Sequence, residues 1–101
     1  MSPHKIADSI QVFIAPGTKP NGLQASKDGL WVIDQDDSFI YKMDWKTGET
    51  IHSVPTDTVH SSGITIGGGY IWIASTYSCE IFQIEMETGK TIEKWIFPNF
   101  R

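Results

Sequence analysis

The stretch GLQASKDGLWVID at Gly22–Asp34 returns 41 residues later as GITIGGGYIWIAS at Gly63–Ser75. The same offset runs on without a gap, pairing Gly22 with Gly63, Trp31 with Trp72, Ile40 with Ile81, Thr47-Gly48 with Thr88-Gly89, and Thr50-Ile51 with Thr91-Ile92. Background composition would give roughly two identities over the thirty columns from Gly22 to Ile51; seven are present. Six more columns keep their character: Leu23/Ile64, Leu30/Ile71, Val32/Ile73, Tyr41/Phe82, Met43/Ile84 and Asp44/Glu85. Ile51 also maps back onto Ile10, so a third, partial copy opens the chain. A repeat of this period identifies the structural unit before any secondary structure is assigned.

Within each unit the apolar residues alternate or run in short bursts rich in β-branched and aromatic types, the pattern of strands. Four strands are expected per unit: 23–26 and 64–67, 30–34 and 70–75, 39–44 and 80–86, 50–54 and 91–97. Ile81, Gln83 and Glu85 against Phe82, Ile84 and Met86 alternate most plainly. No window sustains a 3.6-residue period, so the chain reads as all-β. Asp28-Gly29 and Gly67-Gly68-Gly69 are hairpin signals in matching columns, since glycine accepts the positive φ of a tight turn. Asp44–Gly48 and Glu85–Gly89 read as longer hairpin loops ending on a left-handed glycine, with a leading carboxylate able to accept turn N–H groups.

At 101 residues, 40% hydrophobic, 12% aromatic and 20% charged, the chain is globular and of single-domain size. It divides into 1–21, an extra N-terminal strand (Ile10–Ile14) and loop, and two units at 22–62 and 63–101. A net charge of −4 excludes a phosphate-tracking nucleic-acid binder. No segment approaches the length of a membrane span and Met1–Lys5 opens no signal-peptide-like apolar run, so a soluble, cytoplasmic protein is expected. The single cysteine, Cys79, excludes a disulfide framework within the chain and a cysteine-based zinc site. Beside the acidic Glu80, it reads as packing and not as a reactive thiolate.

A four-stranded sheet that is apolar on both faces must be covered on both. Stacking such sheets radially at about 40–45 residues each gives a β-propeller, commonly of 4 to 8 blades. Two blades do not close a ring. Homo-oligomerisation would complete one, three copies giving six blades and four giving eight, with the trimer favoured over the tetramer; the alternative is an excerpt of a longer propeller. Trp31 and Trp72 are expected to fill the space between blades.

The pattern Gly-Leu-x-x-x-x-x-Gly-Leu-Trp-Val-x-Asp (22–34), followed by Ile-Tyr-Lys-Met-Asp-x-x-Thr-Gly-Glu-Thr-Ile (40–51), resembles blades of the NHL, streptogramin-lyase and gluconolactonase/regucalcin group of propellers. The resemblance covers Gly22 to Phe97. It implies that the loop entering the innermost strand and the loop between second and third strands share one rim. That rim gathers Asn21, Asp34, Gln35, Asp36 and Asp37 from the first unit and His60, Ser61, Ser62, Tyr77 and Cys79 from the second. Lys27, Asp28, Trp45, Lys46 and Glu87 fall on the other. Because repeats share backbone roles, their divergence at Asp36-Asp37 against Tyr77-Ser78 marks where function would sit.

Two functional readings follow. In the first, the chain is a binding or scaffold subunit with a small-molecule ligand site at the rim and channel mouth, formed by Asn21, Gln35, Asp36, Ser61, Ser62 and Tyr77. In the second it resembles the lyases or lactonases, with His60 as catalytic base and calcium or magnesium held by Asp34, Asp36 and Asp37. The bland counterparts are a solvated loop histidine and a wet acidic loop. A propeller fragment without independent function is a third reading. No phosphate loop, His-Glu-x-x-His or Gly-x-Ser-x-Gly motif is present, so no reaction class and no obligatory cofactor is written in the chain.

Overall fold

The computed structural model describes residues 14–97, which fold into two separate four-stranded antiparallel sheets with no helix among them. Blade 1 comprises β1 (Pro20–Ser26), β2 (Gly29–Asp34), β3 (Phe39–Met43) and β4 (Thr50–Pro55). Blade 2 comprises β5 (Gly63–Gly67), β6 (Tyr70–Ser75), β7 (Glu80–Glu85) and β8 (Thr91–Ile96). In each, strands pair in the order in which they follow one another. The expected strands are all present with ends moved by a few residues. The largest change is at β1, which begins at Pro20, where proline is tolerated as a first strand residue, and has an irregularity between Pro20 and Gly22. Of the expected N-terminal strand Ile10–Ile14, all but Ile14 lies outside the described residues, and Ile14 is not in a strand.

The 41-residue repeat extends to irregularities. The β3–β4 register shifts between Lys42 and Met43, and the β7–β8 register shifts between the equivalent Gln83 and Ile84. A bulge adds local twist to the outer strands, which a blade needs. The outer turns are also alike. Gly48 (φ 74°) and Gly89 (φ 79°) are both left-handed, and each donates its N–H to the carbonyl of the residue opening the turn, Asp44 or Glu85. Asp44 Oδ1 accepts from the N–H groups of Lys46 and Thr47, as the turn reading expects. Glu85, one methylene longer, instead accepts from the Thr88 hydroxyl.

Side chains alternate across each strand, so registry assigns every residue to a face. On blade 1, Ile33, Ile40 and Val54 form one cross-strand row, and Trp31 is on the same face. On blade 2, Ile64, Ile73 and Phe82 form one row, and Ile71 and Ile84 share its face. These two faces meet in a single core in which Ile33, Ile40, Ile71, Ile73 and Ile84 are wholly buried. Trp31 lies between the blades as expected, its indole N–H donating to Ser26 Oγ and Lys42 Nζ 5.2 Å from the ring centroid. Trp72 lies on the opposite face of blade 2, which no other blade among the described residues covers, and stacks on Trp95 with ring centroids 5.9 Å apart.

The blades converge at the inner strands β1 and β5. A Cβ on Gly22 would lie 3.0 Å from Ile33 Cγ2 and 3.3 Å from Gly63 Cα, so only glycine allows this approach without displacement. At the outer edge a Cβ on Gly89 would fall 1.9 Å from the Pro55 carbonyl oxygen of blade 1. Gly89→Ala therefore combines left-handed strain of about 1–2 kcal/mol with a backbone clash. We expect it to lower the unfolding free energy by more than that strain alone. Urea denaturation monitored by tryptophan fluorescence measures the loss, with Ile33→Ala, at about 2–5 kcal/mol, as the benchmark for core damage.

Candidate functional site

The rim at the β2–β3 and β4–β5 loops is built on Asp34, the last residue of β2 and fully buried. Its Oδ1 accepts the N–H of Lys19 (2.6 Å), and its Oδ2 accepts those of Asp36 (3.1 Å) and Asp37 (3.0 Å). Burial pushes the carboxyl pKa up, but three backbone N–H donors outweigh it and hold the group below the usual aspartate value. Asp34 is thus the clamp that closes the β2–β3 turn and pins the chain entering β1. In blade 2 the equivalent Ser75, also fully buried, donates instead to the Val59 carbonyl at 2.8 Å.

The other two acidic residues expected to ligate a cation are engaged nearby. Asp37 accepts from the Phe39 N–H (2.8 Å) and the Tyr41 hydroxyl (2.5 Å), and Asp36 accepts from Thr18 Oγ1 (3.0 Å). Partial burial, then the Asp37 carboxylate, push the Tyr41 pKa up to about 12. Among the described residues no three His, Cys, Asp or Glu side chains are grouped so as to hold a metal ion. The donor set at Asp34, Asp36 and Asp37 does not fit calcium or magnesium, because both Asp34 oxygens point at backbone N–H groups.

The structure brings Gln35, His60 and Tyr77 together. Gln35 Nε2 is 3.4 Å from His60 Nδ1, a long contact, and the imidazole stands edge-on to the Tyr77 ring at 4.9 Å between centroids. His60 has φ 52°, a left-handed conformation uncommon for a side chain of this size. Directly after it, Ser61 is 1% exposed and its hydroxyl has no hydrogen-bond partner, although Asn21 Nδ2 donates to the Ser61 carbonyl at 2.8 Å. Ser62 is used structurally, its N–H bonding the Ala74 carbonyl at 2.8 Å and its hydroxyl the same oxygen at 3.3 Å. Of the expected ligand residues, Gln35 and Tyr77 therefore meet His60, and Ser61 follows it in the chain with its hydroxyl buried. Asn21 buttresses it, Ser62 belongs to the sheet, and Asp36 is held by Thr18.

Two further features were not anticipated from sequence. Ser38 (φ 60°) and Cys79 (φ 59°) occupy the same column and share a left-handed backbone, and Cys79 Sγ lies 3.8 Å from the Thr76 carbonyl. The loop carrying His60 is also fastened by Thr56 and the buried Thr58: Thr56 Oγ1 bonds the Ser38 carbonyl (2.7 Å) and Ser38 Oγ bonds the Thr58 carbonyl (2.6 Å). Only the Ser/Thr density of 56–62 hinted at this. A cavity of 580 Å³ lies elsewhere, on the face of blade 1 turned away from blade 2, and touches this rim only through Asn21. At the opposite rim the Trp45 indole donates to the Ser26 carbonyl (2.9 Å) and Lys42 pairs with Asp28 (2.6 Å), which ties the two hairpins of blade 1 to each other.

No protein-family model matches the chain, and no curated protein matches its sequence. Solved structures do resemble it. Hydrazine synthase from Kuenenia stuttgartiensis is 13% identical, with a TM-score of 0.67 over 93% of this chain and 27% of that one. BamB from Moraxella catarrhalis is 17% identical, with a TM-score of 0.61 over 79% of this chain and 25% of that one. The chain thus spans about a quarter of the length of these neighbours, and the likeness establishes that its two sheets are β-propeller blades.

Asp34→Asn should cost about 1.5–3 kcal/mol, because an amide nitrogen cannot accept the backbone N–H groups that a carboxylate oxygen accepts. The depressed pKa means that this stabilisation is present above the ordinary aspartate range and is lost as pH falls through the folded-state value. Unfolding free energies measured from neutral to strongly acid pH should fall less steeply in the variant than in the native chain below about pH 4.

Proposed function

We propose that the chain serves as a two-blade section of a β-propeller scaffold whose Gln35–His60–Tyr77 rim binds a small, uncharged polar ligand. The observation that carries this reading is the Ser61 hydroxyl, buried and without a partner beside a histidine in a left-handed conformation. A buried hydroxyl left unsatisfied costs about 1–3 kcal/mol, and such a cost is tolerated where a ligand recovers it. The surrounding groups suit a neutral polar molecule. Tyr77, 74% exposed, offers an aromatic face, His60 and Gln35 offer hydrogen bonds, and the carboxylates of Asp36 and Asp37 disfavour an anion.

The resemblance to NHL and gluconolactonase-like blades supports a propeller of small-molecule-binding type. The lyase- or lactonase-like reading needs a cation on Asp34, Asp36 and Asp37, and those side chains are engaged by backbone N–H groups, the Tyr41 hydroxyl and the Thr18 hydroxyl. His60 is therefore assigned to binding, not to proton transfer.

Glucose is a suitable probe, since it presents neutral hydroxyls and an apolar ring face. In ¹⁵N-labelled protein its titration should shift amides of Gln35, His60, Ser61 and Tyr77 while leaving Asp28 and Trp45 unmoved, and Tyr77→Ala should remove the shifts. Absence of any rim response, or an equal response at Trp45, would overturn the assignment. Ser61→Ala should raise stability by about 1 kcal/mol in thermal unfolding and weaken the glucose response, since it removes an unsatisfied group that only a ligand uses.

A further inference from the structure

We infer that the exposed face of blade 2 docks onto the outward face of blade 1 of a second copy of this chain, repeating the internal blade–blade interface. The inference stands on the sheet faces and not on the rim, so it can fail while the rim assignment holds.

The internal interface defines what each side needs. Blade 1 contributes the columns of Gly22, Gln24, Trp31, Ile33, Ile40 and Val54. The equivalent columns of blade 2 are Gly63, Thr65, Trp72, Ala74, Ile81 and Trp95, which registry places together on the face turned away from the core. A shallow cavity of 280 Å³ opens there, lined in part by Gly63, Thr65, Trp72, Ala74 and Ile81, and Trp95 is 38% exposed. From the other side, blade 2 contributes Ile64, Ile66, Ile71, Ile73, Phe82 and Ile84. Their blade 1 counterparts, Leu23, Ala25, Leu30, Val32, Tyr41 and Met43, form its outward face. Val32 and Met43 are already buried, but Leu23 is 66% exposed and, with Leu30, lines the 580 Å³ cavity.

Gly63 shows most directly that something is to be fitted. Gly22 is explained by its neighbour, since its absent Cβ makes room for Gly63 Cα and Ile64. Gly63 occupies the same column of the next blade, yet a Cβ there would meet nothing within 4 Å. At this first, paired position of β5 a glycine costs more chain entropy on folding than a larger residue would, so an unneeded one carries a cost with no return within the chain. The return comes if Gly22 and Leu23 of a second copy pack against Gly63 as Gly63 and Ile64 pack against Gly22. Sizes also compensate across the columns, with Ile33 and Val54 on one interface answered by Ala74 and Trp95 on the other. The polar pair does likewise: Thr65 Oγ1 bonds Gln24 Oε1 (3.3 Å) inside the chain, and Thr65 would meet Gln24 of the copy in exchanged roles. One contact is not repeated, because His52, which reaches the Met86 carbonyl at 3.0 Å, is replaced by Glu93, which cannot donate. Head-to-tail docking of this kind must close to avoid filaments, and closure at three or four chains gives six or eight blades.

Two variants break one face each. Gly63→Val adds bulk only where the single chain is empty, so it folds as the native chain does, while Leu23→Glu puts a charge on the other face. By light scattering after size exclusion, the native chain should have the mass of three or four chains and each variant that of one. An equimolar mixture of the variants should give a complex of two chains, because the intact blade 2 face of Leu23→Glu still meets the intact blade 1 face of Gly63→Val. A folded native chain that stays monomeric, or variants that fail to associate when mixed while both remain folded by circular dichroism, would overturn the inference.

Discussion

A twisted four-stranded sheet with apolar side chains on both faces has no stable existence in water until each face is covered, and every other feature of this protein follows from how that cover is supplied. Blade 1 covers one face of blade 2 and receives the same service, in a core whose central members are isoleucines: Ile33 and Ile40 from one side, Ile71, Ile73 and Ile84 from the other. β-Branched residues suit this position because their stiff side chains lose little freedom when packed on a pleated surface. Gly22 then lets the inner strands approach while the outer strands diverge, which turns two stacked sheets into a wedge.

The repeat was the most legible feature of the sequence, and it carried strand number, strand order and turn positions, because a hydrophobic period of two and a Thr-Gly turn are local signals. Trp31 and Trp72 show where such reasoning stops. Identical columns imply one role, yet among the described residues Trp31 has a blade over it while Trp72 stacks on Trp95. Equivalence in a repeat describes the backbone; what covers a side chain depends on the neighbour, which local sequence does not contain.

The acidic loop meets the same limit. Three carboxylates in four residues resemble oxygen donors for a cation, and nothing in their spacing says whether a backbone N–H competes for them. Asp34 is won by Lys19, Asp36 and Asp37 N–H groups, the first of which is fifteen residues away and reaches it only because β1 and β2 pair. The left-handed Ser38 and Cys79 were equally hidden. Neither residue type signals positive φ, yet both follow a three-residue turn that must deliver the next strand in register, and both carbonyls receive the N–H of the residue just beyond the fourth strand, Thr56 or Phe97.

The two rims differ in how fully their polar groups are spent. At the Trp45 rim, Asp44 caps its own turn, the Trp45 indole holds the Ser26 carbonyl and Lys42 holds Asp28, so the hairpins of blade 1 are locked by their own side chains. At the His60 rim the locking is done from beneath, by Asp34, Ser38, Thr56, Thr58 and Ser75, residues at strand ends or in the floor of the loops. That division leaves the groups above the floor free of structural duty. The side chains of Gln35, His60 and Tyr77 come from three different loops of two blades and meet because the blades are packed, while the Gln35 backbone N–H holds the Lys19 carbonyl. A rigid floor under an uncommitted polar cluster is the arrangement a binding site needs, since ordering the site in advance lowers the entropy lost when a ligand arrives.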